Sequence, residues 1–128
     1  MRLLLDTHTL VWFLKDAPEL SSIARDAIEL DDSQVFVSAV NGWEIATKAN
    51  SGKWPEVVDL VDELPFLIER LDLIPLPISL QHALRAGSYR LRHRDPFDRL
   101  LVAQSQIEGL TLVTIDRALQ AYGVETLW

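Results

Sequence analysis

Short apolar runs alternate with segments of helical period from one end of this chain to the other, and that alternation leaves few folds open. The runs are Arg2 to Asp6, Gln34 to Val37, Leu73 to Leu76, Thr111 to Ile115 and a last one near Val124 to Leu127. Each is too short for a stable helix and suits a buried strand. Strand, helix, strand in repeated succession calls for a parallel sheet covered by helices on both faces. The expected fold is α/β: a three-layer α/β/α sandwich around a central, mainly parallel sheet. A length of 128 residues fits one domain spanning 1–128.

Capping residues mark where the helices begin and end. Thr7 to Lys15 follows the first strand at once. Ser21 caps a second helix to about Leu30, and Ser38 opens a third to about Ala49, closed by Asn50-Ser51-Gly52. Glu56 to Leu71 has helical period, with Pro65 as a point of break or kink. Ser79 to about Tyr89 is a further helix. Asp95-Pro96-Phe97-Asp98 opens the next, which runs to Glu108 and stops at Gly109. A short helical turn covers Arg117 to Tyr122.

The chain has no cysteine, which excludes disulfides and thiolate metal sites. No apolar run has the length of a membrane span, and Asp6 interrupts the N-terminal run before it can serve as a signal-peptide core. A cytoplasmic protein without membrane contact is expected. The formal net charge of −7 opposes bulk attraction to nucleic acid. Arg85, Arg90, Arg92, Arg94 and Arg99 nevertheless gather five of the 12 basic residues in one stretch. They read equally well as a solvated helix face or as a phosphate-contacting strip.

The chemistry lies in the acids. Two strands end in aspartate, at Asp6 and Asp116, and ligands of open parallel sheets bind beyond the carboxyl ends of the strands. Glu44 lies inside the third helix, on a side shared with Val40, Trp43 and Thr47. Asp98 falls in the first turn of the helix before the Asp116 strand, at the same edge. Acids held together repel, by about 4 kcal/mol at 4 Å and an effective dielectric near 20, unless protons or cations neutralise them. Oxygen donors without thiolates suit hard cations such as Mg²⁺ or Mn²⁺. One such ion can make hydroxide near neutral pH, and a second can stabilise a leaving oxygen at phosphorus.

Each acid also has a plain structural explanation. Asp6 and Asp116 can cap the helical turns after them, Glu44 can pair with Lys48 at i+4, and Asp98 can be the N3 member of a capping box. Asp95 fits the N-cap of that helix and serves as a supporting residue. Thr7, Ser38 and Thr114 flank the acids and can hydrogen-bond them. His8, His82 and His93 are scattered and suit structural or surface roles. The four tryptophans suit core or interface positions better than base stacking.

Taken in order, Leu4-Leu5-Asp6-Thr7-His8, Ser38-Ala39-Val40-Asn41-Gly42-Trp43-Glu44-Ile45, the segment from His93 to Gln104 and Val113-Thr114-Ile115-Asp116 resemble the PIN-domain family. They look most like the VapC-type toxins of bacterial toxin–antitoxin pairs. The resemblance covers nearly the whole chain, and its most specific part is His93-x-Asp95-Pro96-Phe97-Asp98-Arg99. It implies a PIN-like fold and places the family's four acids on Asp6, Glu44, Asp98 and Asp116. It further implies an endoribonuclease dependent on Mg²⁺ or Mn²⁺, with one or two ions per subunit, acting on RNA as a homodimer and inhibited by a cognate antitoxin. On that reading Arg94 and Arg99 help position phosphate, although Arg99 can instead pair with a neighbouring acid. Two other readings stand beside it. Asp6-Thr7-His8-Thr9-Leu10 is faintly like the first motif of haloacid-dehalogenase-type phosphatases, with Asp6 as nucleophile, although that motif wants an acid where His8 stands. The acids can also be mere caps in a non-catalytic module that holds a protein partner, a reading that leaves Glu44 unexplained.

Overall fold

The computed structural model describes residues 1–90 and 95–128. Five strands, β1 (Arg2–Leu5), β2 (Gln34–Ser38), β3 (Ile74–Leu76), β4 (Thr111–Val113) and β5 (Thr126–Leu127), form one sheet in the order β3-β2-β1-β4-β5. All four pairings among the described residues are parallel, so the expectation of a mainly parallel sheet holds. The helices are α1 (Thr7–Leu14), α2 (Ser22–Glu29), α3 (Ala39–Asn50), α4 (Leu60–Arg70), α5 (Leu80–Ser88) and α6 (Pro96–Glu108), with 3₁₀ turns at Pro55–Val57 and Arg117–Tyr122. Among the described residues no helix is long and apolar enough to cross a membrane.

The central strand explains the layering. Leu3, Leu4 and Leu5 are all fully buried. Successive side chains of a strand point to opposite faces. Leu3 and Leu5 join one core with Leu10, Val11, Ala24, Ile28, Ile45 and Leu60, from α1 to α4. Leu4 joins the other with Val40, Leu101, Val102 and Leu119, largely from α6 and the turn after β4. A residue in the middle of both sheet and core has little room to relax. Leu4→Ala is therefore expected to cost about 2–5 kcal/mol in urea unfolding.

Caps fix the helix starts where the sequence put them. The side chains of Asp6, Ser21, Ser38, Ser79 and Asp95 each accept a backbone N–H of the first turn. Gly109 ends α6 at φ 66°, a left-handed conformation that glycine adopts without strain.

Three boundaries differ from expectation, the simplest being β5, which starts at Thr126 and not near Val124. The segment 56–71 is not one helix: a 3₁₀ turn at Pro55–Val57 precedes α4, which starts at Leu60 and runs through Pro65. Asp59 provides no side-chain cap there, so periodicity alone overran the true start. Strand β4 ends at Val113, and Ile115 is exposed. The expected run to Ile115 mistook a β-branched loop for strand.

Candidate metal centre

The strand order reverses direction at β1: β2 and β3 lie on one side of it, β4 and β5 on the other. A crevice opens at such a switch point, beyond the carboxyl ends of the strands. Asp6 follows β1 directly, and Asp116 follows β4 after Thr114 and Ile115. The two aspartates therefore flank the switch point.

Asp6 is nearly buried. Its Oδ1 accepts the Thr9 N–H at 2.8 Å, and Thr9 Oγ1 donates to the Val113 carbonyl at 3.0 Å, tying the start of α1 to β4. Burial pushes the Asp6 carboxyl above its ordinary range, while hydrogen bonds from Thr114 and Thr9 and the nearby His8 act against that rise. Asp116 accepts the Ala118 N–H at 3.0 Å, and its own N–H donates to Thr114 Oγ1 at 3.1 Å. The capping explanations for both residues are thus correct as far as they go. A carboxylate that caps with one oxygen still has lone pairs to offer.

Glu44 is buried on α3, and Lys48 Nζ contacts its Oε2 at 2.5 Å. The i+4 pairing named from the sequence is present. The helical side assigned to it needs correction. The buried row is Val40, Asn41, Glu44 and Ile45, whereas Trp43 is 51% exposed and Thr47 is exposed. Trp43 sits at the flank with its ring edge-on to Phe97 at 4.7 Å. The 40-41-44-45 row is the buried side of α3, and an acid in that row has no solvent reason to be there.

Asp98 brings the set together. Burial and the negative charges of Asp95, Glu44, Asp6 and Asp116 raise its pKa to about 7. Asp6, Glu44 and Asp116, with Asp95, therefore all lie near enough to Asp98 for their charges to act on it. They are not drawn onto a single point: among the described residues no three His, Cys, Asp or Glu groups converge as ligands of one ion. Mg²⁺ keeps several waters and commonly takes only one or two protein carboxylates, so the donor set fits a hydrated hard cation.

Thr7, Ser38 and Thr114, named as flanking residues, are all buried. Asp95 accepts from Phe97 N–H at 2.9 Å as the cap of α6. Arg99 is half-buried, and its Nε has no hydrogen-bond partner among the described residues. Arg94, together with Arg92 and His93, lies outside the described residues. Arg90 and Arg85 are exposed.

Sequence reasoning gave no role to two residues that hold the pocket together. Asn41 is fully buried; its Nδ2 donates to the Leu5 carbonyl and to Thr7 Oγ1, both at 3.1 Å, and its Oδ1 accepts Ser38 N–H at 2.8 Å. It clamps the ends of β1 and β2 beside Asp6. Gln104, also fully buried, accepts from Ser38 Oγ at 2.5 Å and donates to the Pro77 carbonyl at 3.2 Å. Through Ser38 it links α6, which carries Asp98, to α3, which carries Glu44. The available signal was a polar side chain on the apolar row of each helix. Asn41→Leu strands the Leu5 carbonyl and the Ser38 N–H, and is expected to lower stability by about 2–4 kcal/mol in chemical denaturation.

The PIN domain family model matches residues 3–125. Ribonuclease VapC22 of Mycobacterium tuberculosis (strain ATCC 25618 / H37Rv) is 29% identical over 119 residues, covering 93% of this chain and 90% of that protein. In fold, the chain is similar to VapBC-1 from nontypeable Haemophilus influenzae, with a TM-score of 0.68, 17% identity, and 99% and 97% of the two chains covered. It is also similar to M. tuberculosis VapC20, described as a sarcin–ricin loop cleaving toxin, with a TM-score of 0.66, 14% identity and 95% of each chain covered. With the family model spanning almost its entire length, this chain belongs to the PIN-domain family.

Proposed function

We propose that this protein is a metal-dependent endoribonuclease, the toxin of a toxin–antitoxin pair, and that Asp6, Glu44, Asp98 and Asp116 hold its Mg²⁺ or Mn²⁺, one or two ions per subunit. The observation that most supports this reading is the crowding of negative charge on Asp98, whose carboxyl is raised to about 7 by burial and its acidic neighbours. Such a pocket stores repulsion that a divalent cation relieves. Bound there, the cation supplies an activated water and neutralises charge on the phosphodiester.

The chain's own groups do the rest. Asp6 and Asp116 present carboxylates from either side of the switch point, and Glu44 and Asp98 present theirs from α3 and α6. Thr7, Ser38, Thr114 and Asp95 hold that arrangement through hydrogen bonds. Arg99, with Arg94, is assigned to the phosphate of the RNA substrate. The likeness to VapC22 supports RNA as substrate, and the likeness to VapBC structures supports an antitoxin partner. Exposed apolar residues favour burial against protein, among them Leu80 at 76%, Leu84 at 62% and Phe66 at 62%. We assign this protein to the cytoplasm, as a single domain acting as a homodimer.

The test is RNA cleavage with Mg²⁺, with Mn²⁺ and with EDTA. Cleavage is expected with either ion and should vanish in EDTA, returning when the ion is restored. Undiminished cutting in EDTA would refute the mechanism.

A further inference from the structure

A continuous strip of contacts runs from His8, near Asp6, through Trp54 and Lys48 to Glu44. His8, exposed and two residues beyond Asp6, stacks on Trp54 with ring centroids 4.6 Å apart and planes at 26°. The same Trp54 ring carries Lys48 Nζ at 5.7 Å from its centroid. Lys48 in turn is the ion-pair partner of Glu44. The ammonium thus has two holders, a carboxylate and an aromatic face.

The two partners of the ion pair differ sharply in exposure. The Glu44 side chain is 4% exposed, while that of Lys48 is 28% exposed. An ordinary i,i+4 pair lies in solvent on both sides and contributes little. Here a buried anion is compensated by a cation that reaches in from the rim. An ammonium is a single charge on a flexible stem, without the planar fork that locks arginine onto a carboxylate. It can yield to a doubly charged ion. A cation within about 6 Å of a tryptophan face remains attracted to that face. Once released from Glu44, the Lys48 ammonium therefore stays at the mouth of the pocket.

We propose that Lys48 is an exchangeable counter-ion, neutralising Glu44 until a divalent cation takes that carboxylate and then turning to a phosphate of the RNA at the rim. The proposal rests on the ribonuclease reading above and adds a positioning residue to it. It also gives the acidic pocket a cation of its own in the absence of metal.

Three proteins decide it: the unaltered chain, Lys48→Met and Lys48→Arg. In the first arm, Mn²⁺ alone is titrated calorimetrically at low ionic strength, without RNA. Lys48→Met, which offers no competing charge, should bind Mn²⁺ about fivefold to tenfold more tightly than the unaltered chain. Lys48→Arg, which grips Glu44 through a fork, should bind it more weakly. In the second arm, initial cleavage rates of a single-stranded RNA oligonucleotide are followed against salt. Lys48→Met should raise KM with kcat nearly kept, and flatten the log–log salt dependence by about 0.7, the loss of one phosphate contact. A structural pair alone moves neither the order of Mn²⁺ affinities nor the salt slope. Equal Mn²⁺ affinity in all three proteins, or an unchanged salt slope in Lys48→Met, overturns the proposal. If Lys48→Met does not fold, the order of lysine against arginine decides by itself. An unaltered chain that binds Mn²⁺ and cuts RNA while the variants match it defeats this inference alone. One that does neither defeats the ribonuclease reading with it.

Discussion

Asp6→Asn is expected to abolish most RNA cleavage and, at the same time, to raise the melting temperature of the metal-free protein. Asparagine has the same shape and is as good an N-cap as aspartate, so the bond from the Thr9 N–H survives. What disappears is a negative charge at a nearly buried position. Burial holds the Asp6 carboxyl above its ordinary range, which means that the folded state resists its ionisation. At neutral pH the unfolded chain carries that charge freely, so removing it favours folding. Activity moves the other way. Loss of a residue that merely supports a metal ligand already costs about 10- to 100-fold, and loss of a charged ligand should exceed the upper figure. Added Mg²⁺ should then invert the order of stabilities. At a hundredfold excess over its dissociation constant a ligand stabilises by about 2.7 kcal/mol, a gain open to the unaltered chain and largely closed to the variant. Crossing melting curves, with and without Mg²⁺, would be the signature. A variant that melts lower without metal, or retains a tenth of the cleavage rate, would remove Asp6 from the role assigned to it.

The fold was legible because several independent sequence signals pointed the same way. The Leu3-Leu4-Leu5 run had to be a buried strand, and the three leucines do divide between two cores. Ser21, Ser38 and Asp95 were readable as caps because their short side chains satisfy first-turn N–H groups locally, whatever the tertiary setting. The start of α4 was not readable, because no side-chain cap marks it and the apolar period begins before the helix does. Nor was the end of β4: Ile115 has strand propensity, but pairing stops at Val113. Propensity is local, and the length of a ladder depends on its partner strand.

The acidic pocket was legible only as a set. Asp6 and Asp116 each cap the adjoining helical turn, so either alone is explained without chemistry. Glu44 is the member that capping cannot absorb, and its burial in the row with Asn41 and Ile45 is what the sequence could suggest but not settle. Periodicity gave its neighbours incorrectly, placing exposed Trp43 and Thr47 beside it, because a helical wheel gives angles and not which angle is buried. Asn41 and Gln104 escaped notice for a related reason. Their work is to join strand and helix ends distant in sequence, and no short motif encodes a bond spanning 36 or 66 residues.

The stability of the metal-free protein should fall as pH rises from about 4 through about 7, and Asp98→Asn should remove much of that fall. The folded-state pKa of Asp98 stands at about 7, against an ordinary value of 3.8. A carboxyl shifted upward keeps its proton better when folded, so its contribution is complete below the unfolded value and is lost as pH climbs through the folded one. One proton corresponds to a slope of at most about 1.4 kcal/mol per pH unit, and Asp98 is only half-buried, so solvent screening will reduce it. Metal affinity carries the opposite sign. The ion must displace the proton, so apparent Mg²⁺ affinity should drop about tenfold for each unit below pH 7 and level off above it. Cleavage at subsaturating Mg²⁺ should follow the same curve. The decisive measurement is the difference between the two proteins in urea unfolding with EDTA, across pH 4 to 8. Near pH 4 the unaltered chain and Asp98→Asn should differ little, and by pH 8 the variant should be the more stable. A difference that is flat, or grows in the other direction, would mean that Asp98 does not bear the repulsion of Glu44, Asp6 and Asp116, and that the pocket needs no cation to hold its acids together.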